Sequence, residues 1–212
     1  GHLHDEVGLA SAGIVHYDYS VSPNWTVPDG TILTVAGQDC KIYTTLGAAV
    51  TDANTNRQTA GQDTTFYIAG GDSTLSVTIT CDPPSVSTWH FIGEGKERTQ
   101  FTVTASIGIT NTAPGTGLQS RLCFSNMAFA ASTAVTCVNT GSRSVELDQV
   151  DFILTNSSAV GVVARNTTNT HPSLRATDCT FGNTVSSDGI GIQTAVGSGL
   201  GNDFFLGNCY FS

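Results

Sequence analysis

Residues 122–129 read LCFSNMAF, and the same frame returns as VELDQVDF at 145–152, LRATDCTF at 174–181 and FFLGNCYF at 204–211. In each copy an apolar residue, a gap, a second apolar residue, two gaps, a third apolar residue and a gap lead to a terminal Phe. The first copy is Leu122, Phe124, Met127 and Phe129; the second is Val145, Leu147, Val150 and Phe152. Leu174, Ala176, Cys179 and Phe181 make the third, and Phe204, Leu206, Cys209 and Phe211 the fourth. One-residue gaps give the period of a strand and place the named side chains on one face, whereas the two-residue gap marks a bend. The bends fall on Ser125-Asn126, Asp148-Gln149, Thr177-Asp178 and Gly207-Asn208, small or polar residues suited to a corner.

The terminal Phe residues are 23, 29 and 30 positions apart. Such spacings fit one coil of a solenoid made of two or three short strands, with loops that vary while the coil persists. The pattern predicts an all-β fold, a right-handed parallel β-helix. Its equivalent residues repeat about every 4.8 Å, so Phe129, Phe152, Phe181 and Phe211 stack inside. An antiparallel sandwich explains alternation but not the fourfold return of one frame.

Upstream the periodicity weakens. Leu75, Val77, Ile79 and Cys81 alternate before Pro83-Pro84 interrupts, and strand-like pieces such as 31–35 and 64–68 stand between Asn, Asp and Gly clusters. This divides the chain into a less regular N-terminal β region, 1–84, serving as early coils, a cap or an assembly segment, and a β-helix, 85–212. No polar element follows the fourth Phe to cover the stack, which predicts self-association or a longer parent chain.

Composition bounds the function. Charged residues make up 12% and hydrophobic ones 39% of the sequence, and 17 acidic against 8 basic residues give a net charge of −9. That balance repels phosphate backbones and argues against nucleic acid as a partner. No run approaches the roughly 18 apolar residues of a membrane span, so membrane insertion is not expected. The six cysteines show neither zinc-site spacing nor the density of a disulfide scaffold, and read as small buried hydrophobes. Cys179 and Cys209 share one inward slot in adjacent coils, within bridging range, although two packed thiols are the simpler reading.

The segment WHFIGEGKERTQF, residues 89–101, followed by the repeat, resembles the early coils of pectin-lyase-like parallel β-helix proteins, in which an apolar strand runs into Gly-x-Gly and then Thr with apolar residues. The resemblance covers residues 85–212 and concerns fold more than activity. That family includes polysaccharide lyases, pectin hydrolases and esterases as well as bacteriophage tailspikes and virion surface proteins; the last group is closest in its Ser-, Thr-, Asn- and Gly-rich character. The resemblance implies an extracellular or virion-surface location, a homotrimer, and a surface polysaccharide or neighbouring virion subunits as partners. The family's catalytic motifs find no match here residue by residue.

Two other motifs fail. Gly95-Lys96 is followed by Glu97 where a phosphate loop needs Ser or Thr, and His90 stands in place of its first Gly. Around Ser73, Leu75 replaces the final Gly of a nucleophile elbow. Paired carboxylates remain as candidate catalytic groups for cleaving a sugar linkage. In the repeat frame Glu146 and Asp151 face outward from one coil, Arg175 occupies the slot of Glu146 one coil on, and Tyr210 the slot of Asp151 two coils on. These four form the candidate carbohydrate-facing patch, with Glu146 and Asp151 catalytic and Arg175 and Tyr210 binding. The competing reading is a solvated face with a Glu146–Arg175 ladder pair worth about 0–1 kcal/mol. At the N-terminus, His2 and His4 share one face of an extended strand; three such strands around a trimer axis would present six imidazoles to a transition metal, while the competing reading is a tag remnant. No other cofactor is implied. Together these point to a structural or attachment module, with a polysaccharide depolymerase as the alternative.

Overall fold

The computed structural model describes residues 17–35, 37–112, 120–141, 143–166, 173–182, 189–196 and 203–211. His2 and His4 lie outside them. The described chain is mostly β. It begins with β1 (Tyr19–Val21), β2 (Thr31–Val35) and β3 (Gln38–Tyr43), passes through α1 (Leu46–Asn56), and continues with β4 (Thr64–Ile68), β5 (Gly71–Leu75) and β6 (Ile79–Cys81). Then follow β7 (Thr88–Gly93), β8 (Thr99–Val103), β9 (Ile107–Asn111), β10 (Arg121–Ala131), β11 (Thr136–Asn139), β12 (Ser144–Leu154) and β13 (Val160–Asn166). The last five are β14 (Ser173–Thr177), β15 (Thr180–Gly182), β16 (Ile190–Val196), β17 (Asp203–Gly207) and β18 (Tyr210–Phe211).

These strands form two sheets. One runs β17-β14-β12-β10-β7-β4-β1-β3-β2 and continues past a corner through β5, β8, β15 and β18; the other runs β16-β13-β11-β9-β6. Every pairing is parallel except the β2–β3 hairpin. The register is the one the repeat frame requires. Leu122 pairs with Val145, Val145 with Leu174 and Leu174 with Phe204. Phe129 pairs with Phe152, Phe152 with Phe181 and Phe181 with Phe211.

Corner geometry follows from the residues at the bends. Asn126, Gln149, Asp178 and Asn208, the second residue of each bend pair, have φ of 56°, 54°, 53° and 51°. A left-handed residue reverses the local pleat and swings the strand into a new direction, and Asn and Asp tolerate it best because their short side chains bond locally.

Inside the corner lie two aromatic ladders. Tyr19, Phe66, Phe91 and Phe124 stack with centroids 4.8, 4.7 and 4.9 Å apart. Beyond the bend Phe101, Phe129, Phe152, Phe181 and Phe211 stack at 5.7, 5.5, 5.1 and 5.0 Å. Phe124 meets Phe129 edge-on at 5.8 Å and joins the two columns. The second sheet closes the core with Ile79, Ile109, Val138 and Val162, each in register with the next. Its glycines set the approach: a Cβ on Gly161 would stand 3.1 Å from the Phe152 ring and 2.7 Å from the Gly191 carbonyl oxygen.

Three features depart from the sequence reading. The stretch Leu75 to Cys81 is not one alternating strand: it breaks at a corner between β5 and β6, and Val77 is 76% exposed there. The fourth copy of the frame stacks in register, but with no described rung above it Phe204, Leu206 and Phe211 remain 42, 44 and 51% exposed. The third is α1. Thr45 caps it by accepting the Ala48 N–H, and Leu46, Ala49, Val50 and Ala53 face the core. Asn54 then acts as a strand edge would, donating to the Thr80 carbonyl at 2.8 Å and accepting the Asp82 N–H at 3.0 Å, so α1 covers the edge of β6. β4, before residue 84, pairs directly with β7, after it.

Candidate functional site

The outward residues of the frame form columns. Glu146 lies in the column His90, Cys123, Glu146, Arg175, Phe205, each opposite the next. Asp151 lies in the column Gln100, Ala128, Asp151, Thr180, Tyr210. The register therefore places Glu146, Asp151, Arg175 and Tyr210 in the slots the frame gives them. Gln149, with φ of 54°, lies between the two columns.

Each carboxylate has its own cation. Arg121 Nη1 donates to Glu146 Oε1 at 2.8 Å, and Lys96 Nζ to Asp151 Oδ1 at 3.1 Å. Arg175 leaves Glu146 to Arg121 and lies over the Phe205 ring, 4.9 Å from its centroid. Tyr210 is exposed. Beside Glu146 a small cleft of about 200 Å³ is lined by His90, Cys123 and Asp148 among others, and the Cys123 thiol donates to Glu146 Oε2 at 3.6 Å. Burial first, then the Glu146 charge, pushes that thiol up to about 12. A raised pKa disfavours the thiolate, the nucleophilic form.

A larger recess of about 620 Å³ lies at the other end of the stack, between α1 and the β5–β6 segment. It was not foreseen from the sequence. It exists because α1 takes the place of a further rung: the helix covers β6 through Asn54 but leaves one edge of β5 open, since β5 pairs with β8 alone. Leu46, Val50 and Phe101 supply an apolar floor, and Asp72, Ser73, Thr74, Ser76 and Thr78 stand along one wall. Among the described residues none of those five side chains has a hydrogen-bond or ionic partner.

Behind the recess α1 is fixed by a polar knot. Asp52 accepts from Tyr19 Oη at 2.7 Å and pairs with Lys41 Nζ at 2.9 Å; Arg57 pairs with Asp18 at 2.7 Å, and Asp18 also accepts the Thr65 N–H. Burial alone would raise the Asp52 carboxyl, but hydrogen bonds from Tyr19, Lys41 and Tyr43 outweigh it and hold its pKa below the ordinary value.

Among the described residues no group of three His, Cys, Asp or Glu side chains is placed to hold a metal ion, and no helix is long and apolar enough to cross a membrane. Comparison with protein-family models, with characterised proteins and with solved structures returns no match, so the likeness to pectin-lyase-like proteins rests on local pattern alone.

Proposed function

We propose that the chain is a right-handed parallel β-helix that serves as a non-catalytic attachment module on an extracellular or virion surface, and that the recess between α1 and β5 holds a short glycan. The handedness is the one nearly all parallel crossovers adopt. The solenoid reading is supported by the in-register rungs and repeated left-handed corners.

The observation that carries the glycan is a wall whose side chains have no partner among the described residues. A sugar offers hydroxyls on its rim and C–H groups on its faces, so it needs polar groups that can exchange hydrogen bonds and an apolar floor. Asp72, Ser73, Thr74, Ser76 and Thr78 over Leu46, Val50 and Phe101 supply both, in a volume within the roughly 300–1,000 Å³ of ligand sites. Titration of the isotope-labelled protein with di- to tetrasaccharides of neutral hexoses, hexuronates and N-acetylhexosamines should shift the amide resonances of Ser73, Thr74 and Ser76. Ser73→Trp, which projects a large ring from the strand face that carries Phe101, should abolish the shift at Thr74 and Ser76. If no saccharide moves these resonances at millimolar concentration, the glycan reading fails.

Homotrimer formation belongs to the same proposal, since Phe204, Phe205, Leu206, Tyr210 and Phe211 form an exposed apolar cluster of the kind that subunit contacts bury. Light scattering that returns a monomer removes it. The enzymatic alternative needs Glu146 and Asp151, and an unchanged polysaccharide turnover in Glu146→Gln, Asp151→Asn excludes that pair.

A further inference from the structure

We propose that Cys179 and Cys209 form a redox clip, a reversible disulfide that fastens the rung β17–β18 to the rung β14–β15. Both are thiols in this structure. Their alignment is fixed from either side: Thr177 pairs with Gly207 before them and Thr180 with Tyr210 after them. Adjacent parallel strands lie about 4.8 Å apart, inside the Cα separation of about 4.4–6.8 Å that a disulfide spans. The sulfurs are turned to the same stretch of backbone. Cys179 Sγ lies 3.2 Å from the Thr177 carbonyl oxygen and Cys209 Sγ 3.4 Å from that of Ala176, its immediate neighbour.

None of the other four cysteines has this arrangement. Cys123 faces His90 and Glu146, Cys81 faces Asn111, and Cys40 faces Leu33. The pairs on either side of Cys137 put Gly108 and Gly161 opposite it. Among the described residues β17 pairs with β14 and β18 with β15.

The chemistry balances with a disulfide oxidant such as oxidised glutathione. Cys209 is partly exposed and Cys179 is buried, so Cys209 reacts first. Its thiolate attacks one glutathione sulfur, the glutathione S–S bond breaks, and one glutathione thiolate leaves. Cys179 then loses its proton, attacks the Cys209 sulfur of the mixed disulfide and expels the second glutathione thiolate. Two protein thiols are oxidised, one glutathione disulfide is reduced, and two protons pass to solvent. Because burial raises the Cys179 thiol, the second step is the slow one and quickens with rising pH.

The test uses the full chain, incubated folded with oxidised glutathione, then denatured, alkylated and digested after Lys and Arg. Cleavage at Arg175 releases residues 176–212, a peptide that contains Cys179 and Cys209 and no other cysteine. The expected peptide is two hydrogens lighter and takes up no alkylating reagent, whereas prior reduction restores two additions. Closing a loop of this length should slow amide exchange in β17 on the order of 10²- to 10³-fold relative to the reduced protein. Cys209→Ser should show neither effect. Two alkylations after oxidation, two retained glutathiones, or a Cys209-linked dimer would each overturn the clip.

Discussion

Removing one ring from the interior of the Phe column should cost far more than removing the ring at its exposed end. Phe152 is fully buried and lies between Phe129 at 5.5 Å and Phe181 at 5.1 Å, both nearly parallel to it. Phe152→Ala loses the transfer free energy of a buried ring, leaves a cavity that neighbouring rungs cannot fill without breaking register, and forfeits two stacking contacts. Together these come to about 4–5 kcal/mol. Phe211 is 51% exposed and stacks on Phe181 alone. Half of a Phe transfer term with one stacking contact gives about 1–2 kcal/mol for Phe211→Ala. Urea unfolding of the three proteins, followed by far-ultraviolet circular dichroism, measures both differences through the midpoint and slope. Equal losses, or a loss below about 2 kcal/mol for Phe152→Ala, would refute the idea that the stacked column is the structural axis of the molecule.

Three further outcomes follow from the same geometry. Gln149 is the corner residue least suited to φ of 54°, so Gln149→Gly should stabilise by about 1 kcal/mol; an unchanged or lowered melting temperature would show that its side chain offsets the strain. Gly161→Ala puts a methyl against the Phe152 ring and the Gly191 carbonyl, and should cost about 1–3 kcal/mol by chemical denaturation, with neutrality meaning that the two sheets separate easily. Asp52 has a folded pKa below its model-peptide value of 3.8, so its stabilisation is complete above that value and is lost as pH falls through the folded pKa. Wild type should exceed Asp52→Asn in stability at pH 7, and the gap should narrow as pH falls below 3.8; a gap that widens on acidification would contradict the assignment.

How much of this was legible depends on the signal each element carries. The frame at 122–129 specified inward faces, corners and inter-strand register together, because each copy pairs in parallel with the next and a slip by one residue moves all side chains to the wrong face. The helix at 46–56 was harder to see. Its buried residues Leu46, Ala49, Val50 and Ala53 have helical spacing and Thr45 stands at its cap, but two are alanines and the segment also carries Thr, Asn and Asp, which read as loop. The break after Leu75 was hidden by Val77, which fits the strand period yet points to solvent at the corner.

The candidate site illustrates a sharper limit. Register fixes which outward residues share a column, so Glu146 and Arg175 were correctly neighbours, but it does not fix which neighbour an arm reaches. Arg121 lies one rung down and two residues before Cys123, a diagonal position, and it takes Glu146 because Phe205 offers the Arg175 guanidinium an aromatic face. Outward columns on a rigid stack therefore sort by side-chain competition rather than by repeat position. The recess at α1 arises by the opposite route. It depends on the absence of a rung, with a helix covering β6 and not β5, and a repeat pattern carries no signal for the place where it stops. The regular strands pair in register, and the irregular end supplies the concavity in which, among the described residues, the hydroxyls of Ser73, Thr74, Ser76 and Thr78 have no partner. Function on this fold is therefore best sought at the interruption, where ordering of the wall costs little because the stack behind it is already fixed.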